Sequence, residues 1–82
     1  MENIDQEVKE LVAKIIKRRP DEININANIF REYRVDSLLG VEILAGLDKK
    51  YNIDIPENKL KEVKTTADLI RITSELLSKK KR

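Results

Sequence analysis

Apolar residues recur at helical spacing in three stretches of the chain, and each stretch predicts an amphipathic helix. The first covers residues 3–18, where basic side chains end the pattern and Pro20 stops it. The second runs from Asp36 to about Tyr51, and the third begins near Thr65. The predicted buried stripe of the third helix consists of Leu69, Ile70, Thr73, Leu76 and Leu77. These patterns predict an all-α fold with three longer helices.

The connection between the first two helices is long and has no sustained helical period. Residues 21–35 contain three asparagines and scattered apolar side chains, which predicts a loop packed on the core. Its expected anchors are Ile23, Ile25, Ile29 and Phe30. Farther on, Asn52 suits a left-handed helix end, Pro56 can start a short helix, and Thr65 with Asp68 resembles a capping box. We therefore expect a small antiparallel four-helix bundle with three longer helices, one short helix and a long first loop.

The second helix has apolar residues on both of its sides. Its predicted core side consists of Gly40, Ile43, Leu44, Leu47 and Tyr51. Aliphatic residues that remain on the outer side of a surface helix usually bind a partner, although scattered exposed aliphatic side chains need no explanation. We interpret the outer side as a partner-binding face. Its predicted residues are Leu38, Leu39, Val41, Glu42, Ala45, Asp48 and Lys49.

Asp36 stands directly before the second helix, and Ser37 falls in its first turn. An aspartate at this position is a good N-cap, because its carboxylate accepts hydrogen bonds from unpaired N–H groups. A phosphate ester on Ser37 would lie where these N–H groups and the helix dipole favour an anion. An isolated Asp-Ser-Leu sequence is most often only a cap. We nevertheless interpret Ser37 as an attachment point for a prosthetic group.

Composition argues against several classes of function. The chain has 82 residues with 39% charged and 4% aromatic side chains, which suits one small helical domain. It contains no His and no Cys, so the usual zinc, copper and haem ligands, the Ser-His and Cys-His nucleophile pairs and disulfides are missing. No apolar run is long enough to span a bilayer, and the N-terminus does not resemble a secretory signal. We expect a cytoplasmic, non-catalytic monomer with no catalytic residue and no metal site.

The net charge of +2 conceals an acidic middle between basic ends. Residues 21–57 carry eight acidic and four basic side chains, whereas residues 58–82 carry three acidic and eight basic ones. Basic residues concentrated at the ends, with no aromatic platform beside them, argue against nucleic-acid binding. Residues 1–78 are expected to form the domain, and residues 79–82 a solvated basic tail.

In these features the chain resembles the acyl carrier protein family, over about residues 4–77. The residues that carry the resemblance are Asp36, Ser37 and Leu38, then Val41, Glu42 and Ile43, then Tyr51, Asn52, Ile53, Asp54, Ile55 and Pro56, and finally Lys64, Thr65 and Thr66. The resemblance implies that a phosphopantetheinyl transferase moves the phosphopantetheine arm of coenzyme A onto Ser37, with Asp36 engaging the transferase. The arm would carry acyl groups as thioesters between acyl-transfer, ketosynthase, reductase or dehydratase enzymes of a fatty-acid, polyketide or specialised lipid pathway.

Several positions depart from the family pattern. Arg34 stands where carriers of fatty-acid synthesis usually have a glycine, whose backbone freedom an arginine lacks, so the loop is expected to differ there. Leu39 replaces an acidic residue, Ala45 replaces a bulky methionine, and Lys49 and Lys50 stand where acidic residues are frequent. With the net charge of +2, these departures favour a dedicated carrier over a housekeeping role in bulk fatty-acid synthesis.

Two other functions remain open at this point. An aminoacyl or peptidyl carrier would use the same arm and helices with a different cargo, and loading assays would separate it from an acyl carrier. An unmodified helical adaptor would bind partners through the second helix without chemistry at Ser37. A neutral Ser37→Ala phenotype would support the adaptor.

Overall fold

The structure is a computed structural model that describes residues 3–80 of the chain. Its α-helices are α1 (Ile4–Ile16), α2 (Ile29–Glu32), α3 (Ser37–Tyr51) and α4 (Thr66–Lys80), and two 3₁₀-helices cover Pro20–Glu22 and Glu57–Glu62. Because α1 packs against both α3 and α4, the three long helices share one core. The described residues form no strand, and the predicted all-α fold is confirmed.

The first helix ends earlier than its apolar pattern predicts, because Lys17 leaves the helical conformation. Lys17 has φ 62°, and the backbone N–H of Arg18 donates to the carbonyl oxygen of Ala13 at 2.8 Å. A left-handed residue with this hydrogen bond closes a helix from within its own backbone. The helix predicted over roughly residues 3–18 is therefore present and ends at Ile16.

The long connection after α1 contains a helical turn that the sequence pattern does not predict. Asn28 caps α2, since its side-chain oxygen accepts the N–H groups of Phe30 and Arg31 at 3.0 and 3.2 Å. Asn24 closes another turn by accepting the N–H of Asn26 at 3.0 Å. A helix of one turn is too short to leave a periodic pattern. The prediction of a loop throughout this connection is therefore wrong for α2.

Side-chain burial and backbone hydrogen bonds fix this connection to the rest of the fold. The predicted anchors are buried or half-buried, and they are Ile23, Ile25, Ile29 and Phe30. The N–H of Ile29 donates to the carbonyl of Lys64 at 2.8 Å, and the N–H of Ala67 donates to the carbonyl of Ile25 at 2.9 Å. The connection is thus joined to the start of α4, and its predicted role as a packed segment is confirmed.

The second long helix, α3, has the bounds and the helical phase that its sequence predicts. Asp36 caps it by accepting the N–H of Leu39 on Oδ1 at 2.8 Å, and Asn52 ends it with φ 54°. The predicted core side is buried at Gly40, Ile43, Leu44 and Leu47, and half-buried at Tyr51. The start and the core face of α3 are therefore fixed relative to the bundle.

The last helix begins at the predicted capping box. The Thr65 hydroxyl accepts the N–H of Asp68 at 3.1 Å, and the Asp68 carboxylate accepts the N–H groups of Thr65 at 3.1 Å and Lys64 at 2.8 Å. The hydrogen bond from the Lys64 N–H is the main cause that holds the pKa of Asp68 below its usual value, against the opposing effect of burial. The cap is therefore made by an ionised carboxylate at neutral pH.

The buried stripe of α4 is turned slightly from its predicted position. Leu69, Ile72 and Thr73 are buried, whereas Ile70, Leu76 and Leu77 are half-buried. Ile72 lies three residues after Leu69, and the prediction missed it because it placed Ile70 in the stripe instead. The centre of the stripe therefore lies on the Ile72 side of the predicted one.

The end of α4 also extends past its predicted limit. Lys79 and Lys80 are helical, and the Lys80 ammonium donates to the carbonyl oxygens of Tyr51 at 3.3 Å and Asn52 at 2.8 Å. These two residues therefore belong to α4 instead of a solvated tail. Residues 81 and 82 of the predicted tail lie outside the described residues.

We expect Thr73→Val to stabilise the protein. Thr73 is 0% exposed, and within residues 3–80 its hydroxyl has no hydrogen-bond partner. A buried hydroxyl without a partner costs about 1–3 kcal/mol, so a methyl group of similar shape should raise the free energy of unfolding by about that amount. Urea denaturation measures the change. Thr65→Val is the matched control, because it removes the capping oxygen and should lower stability by about 0.5–2 kcal/mol. A loss of stability in Thr73→Val would contradict the interpretation.

Candidate functional site

Ser37 is the first residue of α3, and its side chain is exposed. The carboxylate before it, Asp36, is also exposed and accepts the N–H of Leu39. Among the described residues the Ser37 hydroxyl makes no hydrogen bond. The first N–H groups of a helix lack intrahelical acceptors and carry partial positive charge. The helix start therefore offers a free hydroxyl beside donors that favour an anionic ester, as the sequence predicts.

The segment before Ser37 is fixed by one buried side chain between two exposed ones. Val35 is buried in the core, while Arg34 and Asp36 on either side of it are exposed. Arg34 has φ 55°, a left-handed conformation that costs a residue other than glycine about 1–2 kcal/mol. Arg34 therefore takes a conformation that favours glycine, at the cost that the sequence predicts. Burial of Val35 helps to offset that cost.

An open groove of about 350 Å³ lies beside Ser37. Its apolar lining consists of Phe30, Val41 and Leu60, and its charged lining residues are Glu57 and Lys61. Val41 is one turn after Ser37 on α3, so the two residues lie on the same side of that helix. The groove therefore adjoins the hydroxyl and combines an aliphatic and aromatic surface with two opposite charges.

Gly40 allows the 3₁₀-helix Glu57–Glu62 to approach α3 closely. A Cβ atom at this position would lie 3.0 Å from Cδ1 and from Cδ2 of Leu60, which is tighter than ordinary packing. Gly40 is also three residues after Ser37, so Leu60 packs one turn from the serine. The sequence pattern places Gly40 on the core side but reveals neither Leu60 nor Lys61. Their position depends on contact between segments that are distant in the chain.

The outer side of α3 presents most of the predicted partner-binding residues. Leu38 is 72% exposed, and within residues 3–80 no other large hydrophobic side chain is exposed. The other exposed members of the predicted set are Glu42, Ala45 and Lys49. Val41 is half-buried and lines the groove. This part of α3 therefore offers an apolar residue next to Ser37, followed by small and charged side chains.

Two residues of the predicted partner-binding set face the fold instead. Leu39 is half-buried and packs against the core, since it precedes Ile43 by one helical turn. Asp48 is half-buried, and its Oδ1 accepts the N–H of Ile55 at 2.9 Å. The carboxylate of Asp48 therefore supports the connector after α3. We correct the predicted orientation of these two side chains accordingly.

Two other kinds of feature are absent from residues 3–80. No group of three or more His, Cys, Asp or Glu side chains there is arranged to hold a metal ion. In the same range no helix is long and apolar enough to cross a membrane.

Comparison with known proteins gives matches along nearly the whole chain. A family model described as "Phosphopantetheine attachment site" matches residues 6–72. The acyl carrier protein of Rickettsia bellii (strain RML369-C) is 28% identical over 75 residues, which are 92% of this chain and 87% of that protein. The acyl carrier protein of Rickettsia massiliae (strain Mtu5) is 30% identical over 74 residues, covering 90% of this chain and 86% of the other. The solved HMG-ACPI domain from the CurA module of Lyngbya majuscula superposes with a TM-score of 0.76 at 27% identity, covering 93% and 77% of the two chains.

Proposed function

The chain belongs to the acyl carrier protein family, and we propose that Ser37 is the residue to which its phosphopantetheine arm is attached. The chain contains three serines, Ser37, Ser74 and Ser78. Ser37 alone falls within the region that the family model matches. Its exposed hydroxyl at the start of α3, free of hydrogen bonds within the described chain, is the observation that carries the assignment.

The proposed transfer is a substitution at phosphorus in which the Ser37 hydroxyl is the nucleophile. In the transfer, the Ser37 oxygen forms a bond to the phosphorus next to the pantetheine part of coenzyme A. The bond from that phosphorus to the adenosine bisphosphate part breaks, and the hydroxyl proton passes to a base of the transferase. Because the chain has no histidine, we assign the base and the metal ion to the transferase. Asp36 is exposed beside the hydroxyl, and we propose that the transferase binds it.

With the arm attached to Ser37, the protein would act as a non-catalytic carrier of acyl groups. When attached, the arm supplies a thiol that holds an acyl group as a thioester. We propose that acyl-transfer, ketosynthase, reductase or dehydratase enzymes bind the exposed side of α3 next to Ser37. The residues proposed for this contact are Leu38, Val41, Glu42, Ala45 and Lys49. Leu38 is the strongest candidate among them, because burial of a large exposed aliphatic side chain favours association.

A dedicated pathway is supported by the charge of α3. Residues 36–51 contain three acidic and two basic side chains, and Lys49 and Lys50 are both exposed. The acyl carriers that this chain resembles are typically acidic at these positions. An aminoacyl or peptidyl cargo would require the same arm, and loading assays distinguish it from an acyl cargo.

We expect Lys49→Glu with Lys50→Glu to improve recognition by ketosynthases that have a basic docking patch. The double change gives residues 36–51 five acidic and no basic side chains, which should raise turnover by such enzymes about 10-fold at low salt and make it more salt-sensitive. Steady-state assays over a salt series measure the effect. Lys14→Glu with Lys17→Glu, at exposed positions in and just after α1, is the control of equal charge change. An equal effect of the two double changes would show that α3 does not select the partner by charge.

The attachment itself is tested by the intact mass of the protein after expression with a broad-specificity phosphopantetheinyl transferase. We expect an increase by the mass of one arm, located by peptide mapping on the peptide that contains Ser37. An adduct on Ser74 or Ser78 would contradict the assignment. An unmodified protein would favour the helical adaptor.

A further inference from the structure

We propose that Lys61 binds the phosphodiester of the arm on Ser37 and directs the arm along the groove between α3 and the 3₁₀-helix Glu57–Glu62. This inference rests on the proposed attachment at Ser37 and adds a positioning residue from another part of the chain. Lys61 and Ser37 line the same groove. A lysine ammonium is a common partner of phosphate oxygens in proteins.

The position of Lys61 is set by the neighbouring packing contact. Leu60 lies against Gly40, where no side chain intervenes, and Gly40 is one turn after Ser37. The next residue after Leu60 therefore reaches the groove near the start of α3. A Cβ atom at position 40 would require the Leu60 side chain to shift by a few tenths of an ångström. Leu60 packs on the glycine beside Ser37, and Lys61 lines the same groove.

The charges on the 3₁₀-helix favour Lys61 over its neighbour Lys59 as the residue that binds the phosphodiester. Among residues 3–80 the Lys61 ammonium takes part in no ion pair, whereas Lys59 pairs with Glu62 at 3.7 Å. Lys59 also lines a different groove, against α4. The other charged residue that lines this groove is Glu57, which would repel a phosphodiester. The groove therefore contains one attractive and one repulsive charge, and the two have opposite predicted effects on the arm.

The contact is exposed, so its expected strength is modest. Ion pairs of this kind change an equilibrium constant by about 1.5- to 5-fold and weaken as salt screens them. In the absence of a partner enzyme the arm would therefore favour the groove over solvent. It would still dissociate from the groove readily. Phe30, Val41 and Leu60 would provide the apolar surface along which it lies.

The test uses the full chain with the arm attached, in the unchanged protein and in three variants: Lys61→Gln, Lys59→Gln and Glu57→Gln. We expect Lys61→Gln to move the phosphorus resonance of the phosphodiester in ³¹P NMR, and Glu57→Gln to move it in the opposite direction. Lys59→Gln is the matched control, since it makes the same change on the same 3₁₀-helix and should leave the resonance nearly unchanged. High salt should reduce the Lys61→Gln effect.

A second readout measures where the arm lies. With a nitroxide on the arm's thiol, paramagnetic broadening of the Val41 and Leu60 amide signals should fall about 1.5- to 5-fold in Lys61→Gln. Lys61→Arg keeps the charge and should retain the broadening, which separates loss of charge from a disturbed fold. Equal responses of Lys61→Gln and Lys59→Gln in a protein with the arm on Ser37 would overturn this inference alone. Absence of the arm from Ser37 would overturn the proposed attachment together with it.

Discussion

Replacing Ser37 by alanine is expected to abolish attachment of the phosphopantetheine arm and to leave the fold unchanged. The hydroxyl oxygen is the proposed nucleophile, and neither of the remaining serines lies in the matched region or in the first turn of a helix. The Ser37 side chain is exposed, and Asp36 continues to cap α3 in its absence. The free energy of unfolding should therefore change by less than about 0.5 kcal/mol.

Ser78→Ala is the matched control for this prediction, because Ser78 is also an exposed serine of a long helix. Intact mass after expression with the transferase should show the arm on Ser78→Ala and on the unchanged protein, but not on Ser37→Ala. Urea denaturation of all three proteins checks the fold. A Ser37→Ala protein that still acquires one arm would refute the assignment, whereas an unfolded one would reveal a structural role for the hydroxyl.

The largest change in stability is expected for Leu47→Ala. Leu47 is 0% exposed and lies on the core side of α3, which packs against α1. Truncation of a buried leucine removes apolar contact and leaves a cavity, at a cost of about 2–5 kcal/mol. Natural domains have a total stability of about 5–15 kcal/mol, and an 82-residue domain has a small core. The change should therefore remove a large part of the stability of this one.

Leu38→Ala provides the comparison, because it makes the same truncation on the same helix at a side chain that is 72% exposed. Its effect on the free energy of unfolding should stay within about 0.5 kcal/mol. The midpoints of urea denaturation of the two variants measure the difference. Similar losses in both variants would mean that the helical phase of α3 is wrong.

The sequence predicts α3 well because its signals are local. Asp36 is a capping residue directly before a periodic run, and Asn52 is suited to the left-handed end. Both roles depend on a few neighbouring residues, so they can be read without knowledge of the fold. The same reason explains the success with the capping box of Thr65 and Asp68. The place of Ser37 in this local pattern, together with the family resemblance, predicts its role as the attachment point.

The features that the sequence does not predict depend on contacts between distant segments. The helical angle of Asp48 predicts that it lies on the outer side of α3, but the connector passes beside it and the N–H of Ile55 donates to its carboxylate. Leu60 packs on Gly40 and lines the groove beside Ser37. Neither contact leaves a periodic signal in the chain, so the alignment of these segments had to come from the structure.

The contact of Lys80 with the end of α3 determines where this domain can be cut for transfer into another protein. The Lys80 ammonium binds the carbonyl oxygens of Tyr51 and Asn52. A fusion whose foreign linker begins directly after residue 78 would remove the Lys80 donor to these carbonyl oxygens and shorten α4 by its last residues. A linker that begins after residue 80 keeps the end of α3 joined to α4. Chimeric assemblies that exchange this domain should therefore place the junction beyond Lys80.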